Sequence, residues 1–249
     1  MSEFINLTVG NVMDEHVCCA ISDKKHQLGV EKKRDWLKDR ISEGHVFRKL
    51  DANGKVFIEY APLESAWVPV VGENYIYIYC LWVSGSYKEK GYGTQLLQYC
   101  IGDAKKQGKS GVCVISAGKK KTYLSDKKFM QKFGFEVADV LGEYELLALT
   151  FDGGALPHFA DEAKKLGVQS SDLTVYYSPQ CPYIQNCVLE IKNYCGNENI
   201  PVDFIEIDTL EKAKKVPGIF NNWAVFYKGK YVSVQLLNEN LVKKLLGGG

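Results

Sequence analysis

A chain of 249 residues has room for one large domain or two modest ones, and at ordinary domain sizes two is favoured. Its 46% hydrophobic and 24% charged content is that of a globular chain with a real core. Its 31 basic and 30 acidic residues leave a net charge of +1, so bulk charge draws it to neither nucleic acid nor an anionic membrane. The most apolar run, Tyr75 to Val83, is far short of the roughly 18–20 residues of a membrane span, and Met1-Ser2-Glu3-Phe4 does not open like a signal peptide. The expectation is therefore a cytoplasmic protein.

In chain order, Phe4 to Val9 reads as a strand. Val30 to Glu43 reads as a helix with Val30, Leu37 and Ile41 on one face and Gly44 at its C-cap. Val46 to Leu50 and Lys55 to Tyr60 flank Asp51-Ala52-Asn53-Gly54, whose Asn-Gly is a hairpin signal. Tyr75 to Val83 is β-prone and apolar on both faces, as in a central strand. The pattern then turns helical through Leu96, Leu97, Cys100, Ile101 and Ala104 and stops at Gly108. Gly111 to Ser116 is a strand, Ser125 to Phe133 a short helix ended by Gly134, and Tyr144 to Phe151 a strand. Gly and Ser clusters from Asp152 to Asp172 mark a boundary that encloses a short helical pattern from Pro157 to Leu166.

Beyond it, Leu173 to Tyr177 is a strand, and Pro182 starts a helix with Ile184, Val188, Ile191 and Cys195 on one face. Val202 to Ile207, Leu210 to Lys215, and a hairpin of Trp223 to Tyr227 with Tyr231 to Gln235 follow. Asn238 caps a last helix. This order is β-α-β-α-β-β-α. The glycines at 247–249 read as a frayed end. The eight cysteines (Cys18, Cys19, Cys80, Cys100, Cys113, Cys181, Cys187 and Cys195) contain no Cys-x-x-Cys pair, and with His16, His26, His45 and His158 they form no zinc spacing. Reduced, buried thiols are the plain reading.

The most informative segment is Val83-Ser84-Gly85-Ser86-Tyr87-Lys88-Glu89-Lys90-Gly91-Tyr92-Gly93-Thr94, which joins a buried strand to a helix N-terminus. Gly91 and Gly93 let the backbone approach a bound group, and the first helical N–H groups and the helix dipole favour an anion. Lys88 and Lys90 add positive charge, and together these features point to phosphate or pyrophosphate. A tight turn with packing glycines is the alternative. The segment is no Walker loop, and it lacks the third glycine of a dinucleotide fingerprint.

Residues Tyr75 to Phe135 resemble the GNAT family of acyl-CoA N-acyltransferases. That family carries Gln/Arg-x-x-Gly-x-Gly/Ala between a strand and a helix. Here Lys88-Glu89-Lys90-Gly91-Tyr92-Gly93 stands in that place, with Lys88 departing from the pattern. A second stretch, Phe129-Met130-Gln131-Lys132-Phe133-Gly134-Phe135, is similar to the family's aromatic-x-x-Lys-x-Gly-Phe ending. The resemblance covers roughly residues 1 to 150 and implies a twisted mixed sheet with flanking helices that splays beside its central strand. It implies that acetyl-CoA lies in the splay, with pantetheine on backbone near Leu81 and Val83 and pyrophosphate on amides from Lys88 to Thr94, Tyr92 included. A primary amine, on a small molecule or a peptide, attacks the thioester directly. A backbone N–H stabilises the oxyanion, and a general acid protonates the thiolate.

Where many members carry a tyrosine acid this chain has Met130; Tyr123 is the candidate substitute. Glu59 and Glu73 are candidate bases, although solvated surface carboxylates are the plainer reading of both. Cys80 precedes Leu81 and is a candidate nucleophile or a core thiol.

Ser178-Pro179-Gln180-Cys181-Pro182-Tyr183 and the β-α-β-α-β-β-α order resemble a thioredoxin-like domain of the YoaP type. Cys181 falls at a helix N-terminus, where a thiol pKa drops. A redox pair would need a cysteine at Ile184. Cys187 lies about 240° around and ~9 Å along the helix, past the ~7 Å reach of a disulfide. The expected organisation is an α/β (α+β) chain with an acetyltransferase domain over 1–151, a linker over 152–171 and a smaller domain over 172–249. It is expected to act as a monomer or homodimer. The alternative is a thiol oxidoreductase or thiol sensor that uses Cys181, with a CoA-binding regulatory domain.

Overall fold

The computed structural model of the chain describes residues 3–17, 20, 21 and 23–247; Cys18, Cys19 and the last two glycines lie outside the described residues. Two compact units form. One comprises Met1–Ile21, Arg34–Ala66 and Val70–Ala160, and the other Ser22–Lys33, Trp67–Pro69 and Asp161–Gly249.

The first unit is built on strands β1 (Phe4–Asn6), β2 (Val46–Leu50), β3 (Val56–Pro62), β4 (Val70–Val71), β5 (Tyr75–Val83), β6 (Gly111–Ala117), β7 (Glu136–Leu141), β8 (Tyr144–Thr150) and β9 (His158–Phe159). Its helices are α2 (Tyr92–Lys106), α3 (Lys127–Gln131) and the later turns of α1 (Gln27–Ile41). Seven strands form one mixed sheet in the order β1-β2-β3-β5-β6-β8-β7, and β4 pairs with β9 separately. The apolar stripe read in the sequence as Leu96, Leu97, Cys100 and Ala104 is the buried face of α2. It packs against Ile58, Ile76, Ile78, Val112, Val114 and Leu147 of the sheet.

The first strand stops at Asn6 rather than Val9, because Thr8 N–H turns to Asn11 Oδ1 at 2.8 Å. α1 begins earlier and ends at Ile41 in a Schellman motif. Gly44, at φ 90°, donates to the Ile41 carbonyl and His45 to the Arg40 carbonyl, both at 3.1 Å. The edge strand β7 has no counterpart in the sequence reading. It is charged and largely exposed, and a bulge between Val137 and Asp139 hides its alternation.

The second unit contains α4 (Asp161–Lys164), β10 (Leu173–Tyr177), α5 (Tyr183–Asn197), β11 (Val202–Glu206), α6 (Leu210–Lys214), β12 (Trp223–Tyr227), β13 (Lys230–Ser233) and α7 (Glu239–Leu246). From β10 on, the β-α-β-α-β-β-α order is present. The sheet order is β11-β10-β12-β13, with β10 and β11 parallel and the rest antiparallel. The hairpin is tighter than the sequence reading had it. Lys228 and Gly229, at φ 51° and 74°, are its two turn residues, and Lys230 already pairs with Tyr227. Asn238 caps α7 by accepting from Leu241 N–H at 2.9 Å. Among the described residues no helix is long and apolar enough to cross a membrane.

Candidate functional site

β5 pairs with β3 from Ile76 to Val83, and β6 along its whole length with β8. Between themselves β5 and β6 run parallel for three residue pairs and part after Tyr77–Cys113. Strands gripped on their outer edges and released on their inner ones open a wedge, here at the carboxyl ends of two parallel strands, where open α/β sheets bind ligands. A bulge falls at the same point. Glu59 pairs with Cys80 and Tyr60 with Ile78, so Tyr79 is the extra residue. Burial follows the split: Tyr75 to Tyr79 are buried, Cys80, Leu81 and Val83 half-buried, and Trp82 exposed. The backbone edge at Leu81 and Val83, expected to face pantetheine, is therefore on the open side of the sheet.

The glycine loop closes the end of this wedge. Gly85, Glu89 and Gly91 all adopt left-handed φ, at 61°, 63° and 79°. Glu89 holds this conformation without a glycine's freedom, a strain that gathers at functional turns. Gly91 is the N-cap of α2 and supplies no side-chain cap, so the first-turn amides of the helix are left for another acceptor. A Cβ on Gly93 would lie 3.6 Å from Phe129 Cζ and 3.8 Å from Leu81 and Val83, which places the loop against the wedge wall and α3. Gly54 of the β2–β3 turn sits under Tyr87, where a Cβ would come within 2.5 Å of the ring. Lys88 and Lys90 are exposed, and Tyr92 and Thr94 half-buried.

The candidate acid–base residues divide. Met130 is buried in the α2-side core at 1% exposure, as an apolar residue should be. Tyr123 is 43% exposed at φ 68°, in the loop between β6 and α3. That loop is tied to β6 by Ser116 Oγ donating to the Ser125 carbonyl at 2.7 Å. Asp126 then caps α3 by accepting from Phe129 N–H at 3.0 Å, a bond that holds its carboxyl below the usual range. Glu73 is exposed.

Glu59 is the correction: it is fully buried, not solvated, and hydrogen-bonded to His45 Nε2 at 3.0 Å. β3 is the third of seven strands and is covered on both faces, so position in the sheet overrides the polarity of the side chain. Phe47 and Cys80 are its partners across the two ladders. In the sequence His45 is only one of four scattered histidines and lies outside any motif; its place after the α1 C-cap is the one local signal.

In the second unit, Cys181 precedes Pro182, the N-cap of α5, and is half-buried, whereas Cys187 is buried. Cys187 donates to the Leu237 carbonyl at 3.2 Å, and burial pushes its thiol up to about 12. The Cys181 turn is also covered. Gly29 lies against Pro182, so that a Cβ would fall 1.9 Å from its carbonyl oxygen. His26 meets Tyr183 edge-on at 4.6 Å, and Lys25 pairs with Glu190 at 2.7 Å. Asn222 Nδ2 donates to Gln180 Oε1 at 2.8 Å, fixing the loop from the other side.

Residues 11–135 match the acetyltransferase (GNAT) family, and residues 201–244 match the YoaP-like family. Uncharacterized N-acetyltransferase YoaP of Bacillus subtilis (strain 168) is 39% identical over 245 residues, covering 98% of each chain. Among solved structures, the PaiA N-acetyltransferase from Thermoplasma acidophilum in complex with coenzyme A is 16% identical, with a TM-score of 0.43, over 61% of this chain and 99% of that one. A GNAT family acetyltransferase from Brucella melitensis in complex with acetyl-CoA is 12% identical, with a TM-score of 0.41, over 64% and 94%.

Proposed function

As this chain belongs to the acetyltransferase (GNAT) family, we propose that it is an N-acetyltransferase that moves the acetyl group of acetyl-CoA to a primary amine by direct attack on the thioester. The observation that carries this reading is the wedge at Tyr77–Cys113, closed by the glycine loop. An extended pantetheine arm pairs with strand backbone at the unpaired edge near Leu81 and Val83. The diphosphate rests on the amides from Lys88 to Thr94, where the helix dipole and the two lysines favour it. Family and geometry thus converge on acetyl-CoA.

In the reaction an ammonium loses a proton to a base and the freed amine forms the C–N bond. The C–S bond breaks, and the thiolate takes up a proton. Glu59 is our candidate base and Tyr123 our candidate acid. Cys80, on β5 beyond the point where β5 and β6 part, has no covalent part in direct transfer. Holding thioester and amine together supplies several kcal/mol without either group. The acceptor is a small-molecule or peptide amine, and the enzyme works as a monomer or homodimer. A cytoplasmic setting fits cysteines that are mostly buried among the described residues. We assign the chemistry to residues 1–151 and read 172–249 as a thioredoxin-like accessory module beyond a linker over 152–171.

Calorimetry with CoA, followed by thiol release from acetyl-CoA against amino acids, polyamines, aminoglycosides and peptides, tests the proposal. CoA at tenfold excess over Kd is expected to add about 1.4 kcal/mol of stability. No heat with CoA, or binding without thiol release to any amine of the panel, counts against transferase activity.

A further inference from the structure

At the end of the sheet away from the wedge, a cleft of about 580 Å3 opens on the α2 side of the first unit. Its apolar wall comes from three places in the chain. Ile101 lies on α2, Phe133 follows α3, and Leu149 and Phe151 stand at and just past the end of β8. All four side chains are half-buried and pack on the edge of the α2-side core. Leu149 pairs with Val112 and Thr150 with Gly111, at the amino end of β6, whereas the wedge opens beyond Cys113 toward Ala117. α2 has its N-terminus at the glycine loop and its last turn, roughly 20 Å away, at the cleft. Two lysines complete the lining. Lys105 is exposed on that last turn, and Lys109 is half-buried in the turn after it, where Gly108 at φ 65° reverses the chain. Lys105 Nζ lies 5.0 Å from the centre of the Phe151 ring. Neither lysine has an ion-pair partner among the described residues, whereas Lys121 and Lys127 of the same unit pair with Glu143 and Glu145 at 2.6 Å. No residue lining the cleft is acidic. The carboxylates nearest in sequence are engaged elsewhere. Asp103 accepts from the Tyr60 hydroxyl at 2.6 Å and from Gln107 Nε2 at 2.9 Å, and Asp152 accepts from Gly154 N–H at 2.9 Å.

We propose that this cleft is a second ligand site, separate from the wedge, that takes a small organic anion with a flat apolar body and a carboxylate. Its volume falls within the roughly 300–1,000 Å3 of small-molecule sites. A flat ring laid against Phe133, Leu149 and Phe151 takes apolar surface out of water on both sides of the contact. A carboxylate at the rim meets two ammonium groups on flexible stems, each able to donate a charge-assisted hydrogen bond. The last carbonyls of α2, the negative end of the helix, do not compete for these donors. Asp103, Ala104 and Lys105 carbonyls already accept from the N–H groups of Gln107, Lys109 and Gly108. The lysines also set the sign of the ligand: a neutral molecule forgoes both ion pairs, and a cation meets two like charges. The site stands without the transferase reading and asks nothing of acetyl-CoA.

2-Naphthoate, with 2-naphthamide as its uncharged counterpart, probes the cleft in the full-length protein. Calorimetry is expected to show one 2-naphthoate site per chain. Its Kd should lie below that of 2-naphthamide by about fivefold or more, as two partly exposed ion pairs give. In methyl NMR spectra the shifts should gather on Ile101 and Leu149 and leave Leu81 and Val83 in place. Lys105→Met/Lys109→Met, which keeps apolar stems on the surface, should abolish the preference for the anion. Lys105→Arg/Lys109→Arg should retain it, which separates loss of charge from a disturbed fold. Equal binding of the two probes, a preference that survives the methionine variant, or shifts centred on Leu81 and Val83 overturns the proposal. So does the failure of 2-naphthoate to bind, including the case in which an acidic, phenylalanine-containing peptide binds the cleft in its stead and marks it as a protein-docking surface.

Discussion

Gly93→Ala separates a cofactor glycine from a packing glycine. Without ligand, the new methyl would meet Phe129, Leu81 and Val83 at 3.6–3.8 Å, ordinary van der Waals contact. Gly93 carries no left-handed φ and sits in the first turn of α2. Alanine gains up to about 1 kcal/mol over glycine within a helix, less in the first turn, so the free protein should keep its stability or gain roughly 1–3 °C in Tm. The same methyl fills the point where the loop, the open end of β5 and α3 converge. If CoA backbone contacts need that space, Kd should rise at least tenfold, a loss of about 1.4 kcal/mol. Gly91→Ala is the control with the opposite signature. At φ 79° a Cβ costs about 1–2 kcal/mol before any ligand is added. Thermal unfolding with and without CoA, together with calorimetry, reads both variants. A Gly93→Ala protein that binds CoA like the wild type would refute the argument, because that glycine would then serve packing alone.

Three further outcomes follow from other parts of the molecule. Cys181→Ser should leave thiol release from acetyl-CoA unchanged, since Cys181 lies in a covered turn before α5 and direct transfer uses no thiol; loss of activity would revive the thiol mechanism. Gly29→Ala should lower the Tm of the full-length protein by overpacking its second unit, at a cost of about 1–3 kcal/mol, because the methyl lands on the Pro182 carbonyl; an unchanged Tm would show that α1 does not pack as described. Asp126→Ala should remove the α3 cap at a cost of about 1 kcal/mol or less, given its partial exposure. The folded carboxyl titrates below its unfolded value, so this contribution is present above the unfolded pKa and lost as pH falls through the folded one. Urea titrations of wild type and variant should therefore converge at low pH, and a gap that persists there would exclude the cap as its source.

What could be read in the sequence was whatever the backbone itself dictates. Tyr75 to Val83 is a strand with those limits, because an unbroken β-prone run can only lie in a sheet interior. Gly44 and Gly91 mark a helix end and a helix start, because each takes a left-handed φ. The two-residue strands β4 and β9 are too short to show a period, and β7 hides its own behind a bulge. Glu59 was misjudged for a different reason: polarity describes a side chain in isolation, whereas burial in β3 is set by strands that arrive from either side.

The same division runs through the site. The proposed diphosphate cradle would be made of amides, and the wedge is made of ladder edges, so both leave traces in glycine placement and strand length. The candidate acid–base groups are side chains placed by strand pairing. His45 reaches Glu59 across a hairpin, and Glu59 reaches Cys80 across a second ladder. Neither link has a fixed spacing in sequence, and either can be rebuilt with other residues while the cradle stays. Met130 fits this logic: a side chain drawn into the α2-side core leaves proton transfer to be supplied from elsewhere around the wedge. On the proposed reading, cofactor binding rests on backbone geometry and proton transfer on side chains that only the folded sheet brings together.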